Sequence, residues 1–296
     1  MAASWYADPE LVPTTVSASY VCNNLSKHGD SLVYAHVDDA VHVNTSQTPH
    51  VITRLPCAEK SFVHQVRFCT LAGVVVIVVA SENGVQGICS VNSSQPRIAV
   101  GNSLGRLLLI GQEGGSKAAE TPEFDLIETL RDHTEAICCL ESSASGEFVA
   151  SGDASGTILV RRTEDKFDIA HRLPGDGFPA TSLVFLSDHR LVAGYITGTL
   201  RIFNPDNFRV VAEVAAHSRA ITALDTRGQY VVSVSEDTFL NVWEIAEGSK
   251  GPSIRVKLAS SLSVPNDLLV GVVFASEKNV YTATYDCANL KLWVPE

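Results

Sequence analysis

One pattern recurs along this chain of 296 residues and limits what it can fold into. Small residues lead into a polar turn, and an apolar alternation then ends on a large side chain. The clearest copies are residues 149–161 (VASGDASGTILVR), 191–203 (LVAGYITGTLRIF), 230–243 (YVVSVSEDTFLNVW) and 280–293 (VYTATYDCANLKLW). Weaker copies occupy 32–43, 76–88 and 99–110. The copies end at Val43, Ile88, Ile110, Arg161, Phe203, Trp243 and Trp293. They are spaced roughly 40–50 residues apart except between Ile88 and Ile110, where the spacing is about half that. Such self-similarity means one supersecondary unit is reused, each copy burying a face that none could bury alone.

Residues 215–245 show the unit most fully. Residues 220–224 and 230–235 are rich in residues that suit a pleated surface, and 239–245 alternates apolar with polar positions. Gly228 punctuates the first join, and Glu236-Asp237-Thr238 makes a tight second one. With 209–214 ahead of them, these are four short antiparallel strands, which is one blade of a β-propeller. Seven copies predict an all-β, seven-bladed ring occupying residues 1–296 as a single domain.

Polar residues stand at fixed places in that blade. His217 precedes the first strand, Ser233 is on the middle strand, Asp237 is in the tight turn and Trp243 is on the third strand. A His/Ser/Asp set invites a catalytic-triad reading. Its placement within a single meander favours a structural tetrad instead, since a carboxylate under a sheet needs donors to offset its desolvation. This set resembles the His, Ser/Thr, Asp and Trp tetrad of the WD-repeat family, although Ala216 stands for the usual Gly and Glu244 for the usual Asp. Residues 22–26 (CNNLS), 172–179 (RLPGDGFP), 216–221, 235–243 and Tyr285-Asp286 spread the resemblance over the chain. It implies a propeller that acts through protein contacts, with no enzymatic residues to carry over. The ring is divergent. Other copies carry Ser155, Thr197 and Leu104 at the Asp position, and Arg161, Phe203 and Ile110 at the Trp position. Only one blade is expected to keep the full tetrad, and Arg161-Arg162 is expected to emerge at the rim.

The short interval between Ile88 and Ile110 leaves only residues 89–98 between two copies, too few for an outer strand, a connection and a new inner strand. An incomplete blade lacking a pair of strands is the favoured reading, with a distorted ring or an abbreviated form of a longer protein as alternatives. Trp293 closes a third strand with three residues following, so residues 14–21 (TTVSASYV) are expected to supply the missing outer strand of the last blade and close the ring. Residues 73–80 (GVVVIVVA) read as a fully buried central strand, too short to span a bilayer.

Composition removes several function classes. A net charge of −11 weighs against nucleic-acid or anionic-membrane partners. The cysteines (Cys22, Cys57, Cys69, Cys89, Cys138, Cys139 and Cys287) form no C-x-x-C pair and are odd in number, which reads as reduced thiols in a cytoplasmic protein. No cofactor or metal motif is present. The stretch 111–117 (GQEGGSK) departs from a phosphate-binding loop at Ser116 and Ala118, and reads, like 247–252, as a surface insertion. Asp38-Asp39 reads as a hairpin turn.

The expected activity is a non-enzymatic protein-interaction scaffold with other proteins as partners. Contact residues are expected on loops joining one blade's outer strand to the next blade's inner strand, namely Asp132, His133, Asp176, Phe178, Pro179, Ser218 and Arg219. Phe178 on its Gly/Pro-braced turn is the leading candidate, with a wedge between blades as its alternative. A propeller enzyme working in the central channel is the rival, but the inner-strand positions read Ile/Ala/Leu/Val and supply no converging carboxylates. A substrate-receptor or cytoskeletal (ciliary) adaptor differs from the scaffold only in its partner.

Overall fold

The computed structural model describes residues 4–57, 61–71, 73–81, 85–91, 96–112, 124–164, 166–186, 190–247 and 254–296. Most of residues 111–122 and 247–252, expected as surface insertions, lies outside them. The described residues form strands and turns with no helix, so no helix is long and apolar enough to cross a membrane.

The strands, in chain order, are β1 (Glu10–Pro13), then β2 (Ser26–His28), β3 (Ser31–His36), β4 (Asp39–Asn44) and β5 (Val51–Pro56). A pair follows, β6 (Val63–Leu71) and β7 (Val74–Ser81). Next come β8 (Val85–Val91), β9 (Arg97–Asn102), β10 (Leu107–Gly111) and β11 (Asp125–Leu130), then β12 (Ile137–Ser142), β13 (Phe148–Asp153), β14 (Ile158–Arg162) and β15 (Ile169–Leu173). The next group is β16 (Ala180–Phe185), β17 (Leu191–Tyr195), β18 (Thr199–Phe203) and β19 (Val210–Ala215). It is followed by β20 (Ile221–Arg227), β21 (Tyr230–Ser235), β22 (Phe239–Glu247) and β23 (Ile254–Ser263). The chain ends with β24 (Leu269–Phe274), β25 (Val280–Thr284) and β26 (Asn289–Trp293).

These strands pair into six four-stranded antiparallel sheets and the two-stranded sheet β6–β7. The first strand of each sheet touches the first strand of the next, from β2 through β6, β8, β12, β16, β20 and β24 back to β2. The result is a β-propeller with six complete blades. Second strands are buried nearly throughout, as in β13, β17 and β25, because both faces of a blade pack against neighbours. One such layer joins Phe148, Phe185, Tyr195, Phe203 and Phe208 between the β12–β15 and β16–β19 sheets.

Three expectations are corrected. The 76–88 copy is not a hairpin: Val76 lies on β7 and Ile88 on β8 of the following sheet. Cys89 pairs directly with Ala99, so a strand pair is absent between β7 and β8 rather than at 89–98. The continuous valine run offered no phase by which to distinguish a second strand from a third. Residues 73–80 are also not buried as a central strand, since Val74 is 48% exposed and Val76 to Val79 are half-buried. Finally, the strand that closes the last blade is β1, which pairs Val12 with Leu290. Residues 14–21 cannot continue that ladder because Thr15 takes φ 59°. They turn instead across the ring, where Ser19 N–H donates to Ala35 O at 2.9 Å.

Val12 is 1% exposed within the closing sheet. Val12→Asp is expected to lower unfolding stability by roughly 3 kcal/mol, because it buries an unpaired carboxylate at the seam. Urea denaturation followed by tryptophan fluorescence checks this, and a change within error would mean that β1 does not carry the closure.

Candidate functional site

In the β20–β23 sheet His217, Ser233, Asp237 and Trp243 come together. His217 Nδ1 lies 3.1 Å from both Asp237 carboxylate oxygens, and its Nε2 lies 2.8 Å from Ser233 Oγ. Trp243 Nε1–H donates to the same Ser233 Oγ at 2.9 Å. A neutral imidazole protonated on Nδ1 satisfies every link: Trp N–H to serine, serine O–H to Nε2, and Nδ1–H to the carboxylate. Asp237 also accepts the N–H groups of Ser218 (2.9 Å) and Phe239 (3.0 Å). Burial alone would raise its pKa, but these donors outweigh burial and hold it at about 2. The set is inward-facing and fully bonded, with its serine 0% exposed, so no attacking oxygen is presented to a substrate.

A second set lies in the β12–β15 sheet, where sequence comparison placed Ser155 at the acid position. The carboxylate comes from Asp153, two residues after Ser151. His133 Nδ1 is 2.7 Å from Asp153 Oδ2, and Nε2 is 2.7 Å from Ser151 Oγ. The other Asp153 oxygen accepts the N–H groups of Ser155 and Thr157, closing the turn. Burial lowers the His133 pKa against the raising effect of Asp153, with Arg161 and Arg172 lowering it further. Arg161 occupies the tryptophan position and is corrected from the rim to the interior. Its side chain is 3% exposed and bonds Asp132 Oδ2 (2.8 Å) and Phe167 O (2.9 Å). The signal for this swap, an Asp-x-Ser in place of x-x-Asp, is visible only once the turn geometry is known. In the last sheet Trp293 Nε1–H donates to Thr282 Oγ1 at 3.0 Å.

The expected contact loops divide. His133 is buried in its hydrogen-bonded set and Asp132 holds Arg161, so neither presents a free side chain. Asp176 pairs with Arg201 at 2.5 Å and accepts Phe178 N–H at 3.3 Å. Its pKa is lowered because these bonds outweigh the raising effect of burial. Phe178 is 50% exposed, Pro179 is half-buried, and Ser218 and Arg219 are exposed, with Arg219 pairing Glu236 at 3.0 Å. The loops are braced by the turns beside them. Gly177 N–H donates to Ser155 O (2.9 Å), and Ala216 and His217 N–H groups both donate to Gly198 O. Gly198 has φ 81°, and a Cβ there would lie 2.3 Å from His217 O, so only glycine fits.

Turns between second and third strands open on the same face as these loops, and four of them carry an apolar tip: Val37, Leu104, Ile196 and Tyr285 are each at least 46% exposed. Tyr20 joins them, stacked edge-to-face on Tyr285 at 5.9 Å and donating to Glu236. No motif marks these tips, because each is a single apolar residue in a polar turn.

The channel was expected to be lined by apolar inner strands. Residues 22–25 instead cross it. The ladders of β16, β20 and β24 each carry a bulge at their start, at Thr181, Thr222 and Val270. The carbonyls of these three residues accept Asn23 Nδ2–H, Asn23 N–H and Asn24 N–H at 2.8–2.9 Å. Charged groups lie on inner strands as well. Arg67 on β6 donates to Leu25 O at 2.9 Å and is within charge range of Glu141 on β12 and Asp225 on β20. Burial raises Glu141 to about 7 and Asp225 to about 6, with Arg67 opposing both shifts. This convergence corrects the all-apolar expectation. Among the described residues no group of three His, Cys, Asp or Glu is arranged to hold a metal ion.

Comparison with known proteins places the fold. The family model WDR54 matches residues 88–294. The chain belongs to the WDR54 family. It is 26% identical over 326 residues to WD repeat-containing protein 54 of Homo sapiens, covering 95% of this chain and 96% of that protein. That alignment is longer than this chain, so the human relative carries residues that this chain lacks. The Mus musculus protein of the same name is 28% identical over 184 residues, covering 60% of this chain and 53% of the relative. Among solved structures, a chain of "Crystal Structure of Mitotic Checkpoint Complex" superposes with a TM-score of 0.75 at 14% identity, over 98% of this chain and 93% of that one. This last similarity concerns the fold alone.

Asp237 is depressed in the folded state, so its stabilising contribution is complete above the ordinary carboxylate pKa of about 4 and is lost as pH falls towards 2. Asp237→Asn is expected to be about 1–3 kcal/mol less stable at pH 7 and to lose the acid slope in that window, as read by denaturation at stepped pH. Glu141 has the opposite sign: raised in the folded state, it penalises folding above pH 7, and the penalty fades on acidification to about pH 4. Glu141→Gln is expected to raise the melting temperature at pH 8 and to converge with the parent at about pH 4.

Proposed function

We propose that this chain is a non-catalytic scaffold whose partners are other proteins, docked on the face formed by the second-to-third-strand turns. The observation that carries this reading is the set of apolar tips, Val37, Leu104, Phe178, Ile196 and Tyr285, exposed on loops fixed by backbone hydrogen bonds. Apolar side chains on a rigid frame bind with little ordering cost, which makes such a face a docking surface. Residues 1–296 act as one propeller domain, with β6–β7 standing in the place of a seventh blade. The net charge of −11 supports protein partners over nucleic acid, and nothing in the reading calls for membrane insertion or a cofactor. The free cysteines support a reducing, cytoplasmic setting. The structural role we assign to the His217 and His133 sets is to hold the contact loops, with binding left to Phe178, Pro179, Ser218, Arg219 and the apolar tips. Substrate-receptor and cytoskeletal adaptor roles are special cases that differ in the partner.

One observation favours a catalytic alternative, the approach of Glu141, Asp225 and Arg67 around the channel. Against it, Asp225 is engaged by Phe274 N–H at 2.6 Å and Glu141 by Ser142 N–H at 3.0 Å. Stoichiometric metal in purified protein, or hydrolysis abolished by Glu141→Gln, would replace the scaffold reading.

Affinity capture from native cells tests the proposal. Phe178→Ala combined with Leu104→Ala is expected to cut recovery of the specific partner at least about tenfold, equivalent to roughly 1.4 kcal/mol, with the melting temperature kept. Equal recovery by the folded double variant would remove this face from the function.

A further inference from the structure

The strand β7 has the sequence of a sheet interior and the position of a sheet edge. Its residues, VVVIVVAS, carry no charge and no proline. The outer strands of the other sheets do carry charge: Arg54 on β5, Glu128 on β11, Arg172 on β15, Glu213 on β19, Lys257 on β23 and Glu10 on β1. Charge on an edge strand blocks unwanted pairing, and among the outermost strands of the described sheets β7 alone lacks that protection. Its burial tells the same story. Other second strands are buried nearly throughout, whereas Val74 and Val75 are 48% and 39% exposed and the next four residues are half-buried.

The space beside this edge has a defined width. In an antiparallel ladder alternate residues of β7 aim N–H and C=O away from β6, and among the described residues no strand pairs there. Both neighbouring sheets extend two strands further, so the edge is recessed by about 10 Å at ladder spacing. The walls are apolar. Leu55 of the β2–β5 sheet borders the same buried cluster as Ile77 and Val79, and on the other side Leu108, Ile110 and Phe124 border the same buried cluster as Val76 and Val78.

We propose that this notch is a docking site for an uncharged, apolar β-hairpin donated by another polypeptide, which adds to β7 as the third and fourth strands of its sheet. Two missing strands set the size of the occupant, the open backbone edge sets its extended form, and the uncharged floor and walls set its composition. A second copy of this chain does not fit through its own β7. Two recessed edges cannot approach to about 5 Å without collision of the sheets that flank them. The site is separate from the turn-tip face, and neither reading depends on the other.

The test uses the full chain and a synthetic, disulfide-closed hairpin of about 14 residues with alternating valine and threonine on its pairing strand. Expected results are saturable binding and a slowing of amide exchange in β7 by about tenfold or more. Val75→Lys, at an exposed position, is expected to weaken binding by about tenfold or more while the melting temperature holds. A hairpin N-methylated at alternate residues of the pairing strand, which lacks the donors, is expected not to bind. The proposal is overturned by equal binding of the N-methylated peptide, by no binding of the parent peptide, or by slow β7 exchange in the free monomer. It is equally overturned by a concentration-dependent dimer that protects β7 without peptide.

Discussion

Ring closure is the constraint on which the rest of this structure depends. A sheet protein that ends where it began must join two open edges, and here residues 10–25 do so twice. At the perimeter β1 pairs with β26, which completes the last four-stranded sheet from both ends of the chain. At the axis Asn23 and Asn24 donate to carbonyls that three successive bulges have withdrawn from their ladders. The two joins are coupled by geometry. A bulge strengthens local twist and leaves a backbone group unpaired, and an unpaired group near the axis is costly unless something answers it. The asparagines answer three such groups with one short segment, so the channel-crossing chain and the twist of the blades support each other. Asn23 adopts φ 54°, a conformation its side chain tolerates better than most, which is why this residue type suits the crossing.

Within the ring the buried polar sets solve a second problem, holding long loops against the sheet edge. Two sheets do so with a carboxylate, an imidazole and a serine, but from different sequence positions. Asp237 is four residues beyond its serine, while Asp153 is two beyond, and both reach the histidine Nδ1. What is maintained is the hydrogen-bond circuit, not the spacing. Arg161 shows the same freedom: where one sheet places an indole, the other places a guanidinium anchored by Asp132 and the Phe167 carbonyl. A buried charge is tolerated there because a carboxylate and a carbonyl meet it.

These particulars explain how much was legible in the sequence. The repeat, the strand alternation and the His217–Ser233–Asp237–Trp243 set were readable because they follow from period-two burial and one recurrent turn. The Asp153 circuit was not, since residue matching by position assigned its place to Ser155. A run of valines has no polar phase, so in the sequence residues 76–88 read as one hairpin, which puts the missing strands at residues 89–98 instead of between β7 and β8. The closing strand was displaced by a few residues because residues 14–21 have good strand composition. The break at Thr15 is a backbone conformation that composition does not announce. The charged approach of Arg67, Glu141 and Asp225 lies on three strands far apart in sequence, and only the ring brings them together.

The two-stranded sheet shows how a ring survives a deficient member. The contacts that carry the circle run between first strands, and β6 keeps its place in that series between β2 and β8. Its core residues Val63, Val66, Cys69 and Leu71 are at most 2% exposed, as buried as those of any complete sheet. The loss therefore falls on the perimeter, where a blade contributes area but not continuity. On apolar area alone, a half-buried valine forgoes roughly half of the 1.5–3 kcal/mol that full burial of such a side chain supplies. The six exposed or half-buried apolar residues of β7, Val74 to Val79, thus leave several kcal/mol unrealised in this chain. A surface polar substitution would have been the ordinary remedy for that exposure, yet every one of these positions is valine or isoleucine. The strand retains the composition of a covered one, and the simplest physical account of that composition is a cover supplied from outside the described chain.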